Sequence, residues 1–252
     1  MKIVVTVKQV PDPNVQQRLG AGDTISREGE AVLDPGDEYG VEEGLQLKEA
    51  HDGEVVLVTM GPERARDAIR KGLSMGADRA ILVTDGELAG ADSLLTARVL
   101  AAAIRPEEPD LVICGTESYD GSTGTVPPML AELLGVPQLT FAKKIELSGG
   151  RITVHRQTEQ GHEIVEAELP ALVTVTAGIA EPRYASLKGI MAARSKEVRQ
   201  VSLGDLGVER GSPVEAVIAV ADAAPRAAGE VIEDGASTVD RLVEFLQTAK
   251  VV

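Results

Sequence analysis

Four times in the first 135 residues, a short and nearly continuous apolar run is followed by a segment of helical periodicity. This alternation constrains the fold more than any other feature of the chain. Strands joined by helical crossovers pair in parallel, and helices then cover both sheet faces. The apolar runs are residues 2–7, 54–59, 80–84 and 111–114. Asp37 is the expected cap of a helix reaching about residue 50, Pro62 opens one running through residue 74, and Asp92 caps one ending near Ile104. Gly76 stands where a glycine C-cap belongs. The pair Pro127 and Pro128 opens a fourth helix, whose apolar face is Met129, Leu130, Leu133 and Leu134. The predicted class is α/β, with a parallel sheet and helices on both sides.

In such a sheet the C-terminal strand ends share one edge, and ligands bind there. That edge gathers residues 6–8, 60–62, 85–86 and 115–124. The last of these belongs to a polar connection, GTESYDGSTGTV, longer than an ordinary strand-to-helix loop. A strand, a glycine-rich loop and a helix N-terminus in that order point amide donors at one spot, which suits a phosphate or other anion. The hydroxyls of Ser122, Thr123 and Thr125 add donors. Asp120 is expected to brace the loop by accepting backbone N–H bonds, since a carboxylate facing a phosphate is repelled. Neither GxxxxGK[ST] nor GxGxxG is present, so a plain connection is the competing reading.

Residues 9–36 read as a long irregular loop with a short hairpin around residues 24–32. Residues 141–147 and 151–157 flank Ser148, Gly149 and Gly150, a hairpin signal, and residues 162–168 alternate like a further strand. These antiparallel strands extend the sheet, and residues 171–176 return to the interior. Beyond Ala177 no periodicity is visible. Residues 221–235 read as a linker and residues 238–250 as an amphipathic helix, an arm lying against something other than its own core.

With 25 basic and 40 acidic residues, a net charge of −15, the chain lacks the cationic surface that nucleic acid or an anionic membrane requires. Its single cysteine, Cys114, excludes a disulfide scaffold and points to a reducing, cytoplasmic setting. No apolar stretch is long enough for a membrane span, and MKIVVTVKQV reads as the first strand and not as a signal peptide. Aromatics are 2% with no Trp, so the core is aliphatic and ring stacking on a flavin is scarce. His51, His155 and His162 stand apart, and no nucleophile elbow, HExxH motif or acid/base pair is present, which favours binding or assembly over catalysis.

Four stretches together resemble a known family: VKQVPD from Val7, TMGPERARDAIRKGLSMGADRA from Thr59, the GTESYDGSTG loop, and EPRYASLKGIM from Glu181. They are similar, in order and over residues 1–207, to the β subunit of electron transfer flavoprotein. The resemblance implies an adenine nucleotide α-hydrolase-like domain over residues 1–207 and a C-terminal arm over residues 208–252 against an α subunit. It implies a heterodimer whose redox-active FAD is held mainly by the α subunit, with AMP, or a second FAD in electron-bifurcating members, in the β subunit. Carried over by position, the nucleotide contacts are Thr6, Asp34, Pro35, Gly36, Asp37, Met60, Gly115, Asp120, Gly121, Ser122, Thr123, Gly124, Thr125 and Val126. A docking loop over residues 183–192 would present Tyr184, Leu187, Ile190 and Met191 to acyl-CoA dehydrogenases or other flavin dehydrogenases of fatty acid oxidation, with a quinone reductase as acceptor. Gly124 and Thr125 stand where many members have Asn or Ala followed by Gln, and Gly36 where many have an aromatic. Two other classes fit the same sheet: a stand-alone nucleotide-binding protein of the universal-stress type, and a small-molecule enzyme such as an ATP-using ligase.

Overall fold

A computed structural model of the chain describes residues 1–20, 24–221, 229, 231, 235 and 237–251. The elements follow in order: β1 (Lys2–Thr6), β2 (Gln9–Pro11), β3 (Ala31–Leu33), α1 (Pro35–His51), β4 (Glu54–Met60), α2 (Arg66–Met75), β5 (Arg79–Val83), α3 (Ser93–Ile104), β6 (Leu111–Gly115) and α4 (Val126–Leu134). Then come β7 (Gln138–Ser148), β8 (Arg151–Thr158), β9 (Gly161–Glu168), β10 (Ala171–Val175), α5 (Leu187–Ala193), β11 (Val198–Val201), α6 (Leu203–Leu206) and α7 (Thr238–Thr248). The main sheet runs β11-β5-β4-β1-β6-β10-β7-β8-β9. Strands β11 through β7 pair in parallel, and β8 and β9 extend the sheet antiparallel.

The expected α/β class holds, for the reason that the sequence supplies. Ile3, Val4 and Val5 of β1 are fully buried, as are Ile113 of β6 and Val173 of β10, because this part of the sheet is covered on both faces. Along β1, Ile3 and Val5 join the apolar cluster that contains Leu45 of α1 and Ile69 of α2. Val4 joins the cluster on the opposite face, with Val99 of α3 and Leu130 of α4. The hairpin between β7 and β8 turns at Gly149 and Gly150, whose φ angles of 58° and 82° are those of the expected tight turn.

Several expectations change. Helix α1 is capped by Asp34, whose side chain accepts from the Gly36 amide, and not by Asp37. Pro35 opens the helix where its missing N–H is harmless, and Asp37 is carried inside the first turn and buried. The ribbon in the long loop pairs its two ends, β2 with β3, and a bridge joins Leu19 to Ile25, so the hairpin is not confined to residues 24–32. Beyond Ala177 there is more order than the pattern shows: α5, and then β11, which returns to pair with β5 at the far sheet edge. A four-residue edge strand with Arg199 and Gln200 exposed makes no apolar run. In β7, Phe141 adopts a φ of 59° and donates its amide to the Thr174 hydroxyl at 2.9 Å, while the ladder with β10 shifts register between Val173 and Val175. This bulge turns the ring outward.

The chain divides into two units, residues 1–218 and 219–252. In the second, α7 leaves Val239, Leu242, Val243 and Phe245 exposed. The linker expected over residues 221–235 lies mostly outside the described residues.

Glu43 of α1 is only 7% exposed, and burial, followed by the charge of neighbouring Glu42, pushes its carboxyl up from 4.5 to about 7. A buried acid with a raised folded-state pKa is tolerated when neutral, so its contribution to stability declines as pH rises from 4.5 towards 7. Glu43→Gln is therefore expected to be more stable than the parent at pH 8, by up to about 3 kcal/mol, with the difference vanishing below pH 4.5. Thermal melts of both chains across that range check this, and equal stabilities at pH 8 would show that Glu43 is solvated.

Candidate functional site at the C-terminal sheet edge

Three chain segments meet where β1 and β6 end. Asp37, in the first turn of α1, accepts the Lys8 amide just past β1 at 2.7 Å and also the amide of Gly115, the last residue of β6. Gly115 has to be glycine here, since a Cβ would lie 2.7 Å from the Asp37 carboxylate. Asp34 repeats the arrangement one turn earlier: one oxygen takes the Gly36 amide at 2.9 Å, and the other takes the Tyr119 amide at 2.7 Å. Its own amide donates to the Lys8 carbonyl. Two short side chains thus tie the base of the polar loop to a strand end and a helix start.

Asp120 does not brace the loop through backbone amides as expected. Its carboxylate takes the Lys8 ammonium at 2.6 Å and the Arg27 guanidinium, and Lys8 also donates to the Ser118 hydroxyl at 3.1 Å. Burial raises the Asp120 carboxyl, but Lys8 and then Arg27 more than offset this and hold it below its ordinary value. On Asp37 burial wins instead: with the charge of Asp34 adding to it, burial outweighs the Lys8 and Gly115 amides and the Lys8 charge and pushes the carboxyl well above its ordinary value. Lys8 and Arg27 escape a reading of local pattern because their contacts with Asp120 span 112 and 93 residues. Lys8 does fall inside the VKQVPD stretch, whereas Arg27 carries no signal at all.

The loop closes through Ser122, whose amide donates to the Ser118 carbonyl at 2.8 Å, and through Thr116, whose hydroxyl donates to the Val175 carbonyl at 2.9 Å. Gly121, Ser122 and Thr123 form an exposed tip, with Gly124, Thr125 and Val126 half-buried behind it. Thr125 sits at the N-cap of α4 without a capping bond, and its hydroxyl is buried with no hydrogen-bond partner. Because Pro127 and Pro128 carry no N–H, the first turn of α4 offers the Val126 amide and the helix dipole but few other donors. Thr6 and Met60 are the last residues of β1 and β4, adjacent strands on the same edge.

A family profile described as the electron transfer flavoprotein domain matches residues 23–206. A curated protein of Mycobacterium tuberculosis, "Electron transfer flavoprotein subunit beta", is 43% identical over 263 residues, covering 99% of both chains. The chain belongs to the electron transfer flavoprotein β-subunit family. Proteins with the same title are 38% identical in Thermoanaerobacterium thermosaccharolyticum and 34% identical in Megasphaera elsdenii, with both chains covered in full. Membership makes the chain a subunit of a flavoprotein electron carrier, with an α subunit as its counterpart.

The residues expected at a docking loop do not join this edge. Leu187 opens α5, capped by Ser186, and α5 packs on α2. Tyr184 is 95% exposed and Leu187 75%, with Ile190 and Met191 also exposed, so Leu187 is not a core residue. Among the described residues no helix is long and apolar enough to cross a membrane.

Asp34→Ala removes the α1 cap and frees the Tyr119 amide. The expected cost is about 1–2 kcal/mol. Amide exchange should quicken at Tyr119 and Gly36 while Leu111 to Gly115 stay protected. Unchanged exchange at Tyr119 would show that something other than Asp34 holds the loop.

Proposed function

We propose that the chain serves as the β subunit of a heterodimeric electron carrier and that its loop over residues 115–126 holds the phosphate of an adenine nucleotide, either AMP or the AMP half of a second FAD. The observation that carries the nucleotide reading is the Thr125 hydroxyl, buried and unpaired at the N-terminus of α4. A polar atom withheld from water and from protein partners calls for a ligand acceptor. With few amides at α4, the phosphate is held by Gly121, Ser122, Thr123, Gly124, Thr125 and Val126 together, while Thr6, Asp34, Pro35, Gly36, Asp37, Met60 and Gly115 line the nucleoside side. Asp120 stays paired with Lys8 and Arg27 and shapes the loop without facing the phosphate.

A redox-active FAD, held mainly by the α subunit, supplies the electron chemistry when bound; this chain's residues bind, orient and present. The exposed apolar face of α7 and the exposed Val214, Val217 and Ile218 support an arm, residues 208–252, that covers the α subunit. Tyr184, Leu187, Ile190 and Met191 form an apolar knob that docks flavin dehydrogenases such as acyl-CoA dehydrogenases, with electrons passing on to a quinone reductase. Denaturing the heterodimer should release, beyond the FAD of the α subunit, about one AMP or FAD per β chain by mass. Release of neither defeats the nucleotide reading.

Leu187→Ala separates docking from packing. Exposed as it is, its loss should move stability within about ±0.5 kcal/mol, against roughly 2–5 kcal/mol for a buried leucine. Loss of a central apolar anchor costs on the order of 2 kcal/mol of partner affinity, about thirtyfold. Flavin reduction by a dehydrogenase should slow accordingly at limiting partner concentration. A large fall in melting temperature with normal reduction would return Leu187 to a structural role.

A further inference from the structure

Between the end of β10 and the cap of α5, residues 176–186 cross the outer face of α1 without regular structure. One side chain ties this crossing to α1. Arg183 sets its guanidinium across two glutamates of that helix: Nε and Nη2 donate to the two oxygens of Glu42 at 2.8 and 2.9 Å, and Nη1 and Nη2 to those of Glu49 at 2.5 and 3.2 Å. The Arg183 amide adds a bond to Glu42 at 3.1 Å. Glu42 and Glu49 lie seven residues apart, two turns of helix, so they share a face and meet the planar fork together. Glu42 is 3% exposed and also accepts a bond from the Gln46 side-chain amide at 3.0 Å, a second contact that orients it towards Arg183.

The next residue, Tyr184, is almost wholly exposed, and Leu187 follows one helical cap later. On the far side, α5 is seated by a close approach: a Cβ on Gly189 would lie 2.4 Å from the Ser74 carbonyl oxygen of α2. Lys196 then donates to the Leu73 carbonyl at 3.0 Å and to the Ala77 carbonyl. The knob is therefore clamped downstream on α2 and upstream on α1. The upstream clamp rests on one residue, through its guanidinium fork and its backbone amide.

We propose that Arg183 is the positioning residue of the docking segment, its fork across Glu42 and Glu49 holding Tyr184 and Leu187 in the outward geometry that a partner dehydrogenase meets. The inference rests on the docking reading above and adds to it what keeps the knob pre-organised. Arginine is required because two carboxylates are gripped at once by one rigid plane; lysine supplies a point charge on a flexible stem. Without the fork, the end of the crossing next to Tyr184 is held more loosely, and the cost of ordering it falls on partner affinity.

The test is flavin reduction in the purified heterodimer by an acyl-CoA dehydrogenase loaded with its substrate, comparing the parent with Arg183→Ala, Arg183→Lys and Leu187→Ala. Arg183→Ala is expected to raise the KM for the dehydrogenase about tenfold with kcat within twofold and nucleotide content unchanged. Arg183→Lys should fall between it and the parent. An unchanged KM in Arg183→Ala, where Leu187→Ala raises it, overturns the positioning role and leaves docking intact. An unchanged KM in both variants overturns the docking reading and this inference with it. Should Arg183→Ala not fold, Glu49→Ala removes the exposed half of the fork and serves instead: a raised KM supports the proposal and an unchanged one overturns it.

Discussion

A buried aspartate in the first turn of a helix holds the functional edge of this protein together. Asp37 accepts the Lys8 amide just past β1 and the amide of Gly115, the last residue of neighbouring β6. Unpaired amides at buried strand ends are costly, and satisfying two with one side chain fixes how far apart the strand ends and the helix start can sit. Gly115 completes the arrangement by leaving room for the carboxylate. Asp34 extends it into the loop, and the Lys8 and Arg27 contacts to Asp120 extend it to the ribbon formed by β2 and β3. The loop that follows is therefore tied at its base and open at its tip, as the proposed phosphate site requires.

How much of this was legible depends on range. The parallel sheet was plain because continuous Val, Ile and Leu runs alternate with capped helices, and both signals are local. The SGG turn between β7 and β8 was equally local. The sequence pattern offers Asp37 as the cap where the structure uses Asp34, because the cap is chosen by a proline one residue away and by burial that no short window reveals. Arg27 and Arg183 were invisible as contributors for a different reason. Their partners lie 93 and 141 residues away, and an arginine among scattered charges looks like any solvated side chain. Strand β11 was missed because an exposed sheet edge lets half of a short strand be polar.

The route of the chain after β8 and β9 links the two proposed faces. Strand β10 inserts between β6 and β7, which places its end beside the loop, where the Thr116 hydroxyl reaches the Val175 carbonyl. From there the chain crosses α1, the helix whose N-terminus forms part of the candidate site, and reaches α5 on α2. Helix α1 thus carries the proposed nucleotide edge at its first turn and the Arg183 contacts with Glu42 and Glu49 along its length. On the proposed reading, one helix holds the cofactor site and the partner-facing surface in fixed register.

The central claim, that the loop at residues 115–126 and the start of α1 form the nucleotide site, is tested most directly by hydrogen exchange on the heterodimer with its β-subunit nucleotide retained and then stripped. Stripping should accelerate exchange at the loop and across the first turn of α1, while β8 and β9 remain unchanged. Acceleration confined to other segments, with the loop and the α1 N-terminus indifferent to the nucleotide, would contradict it.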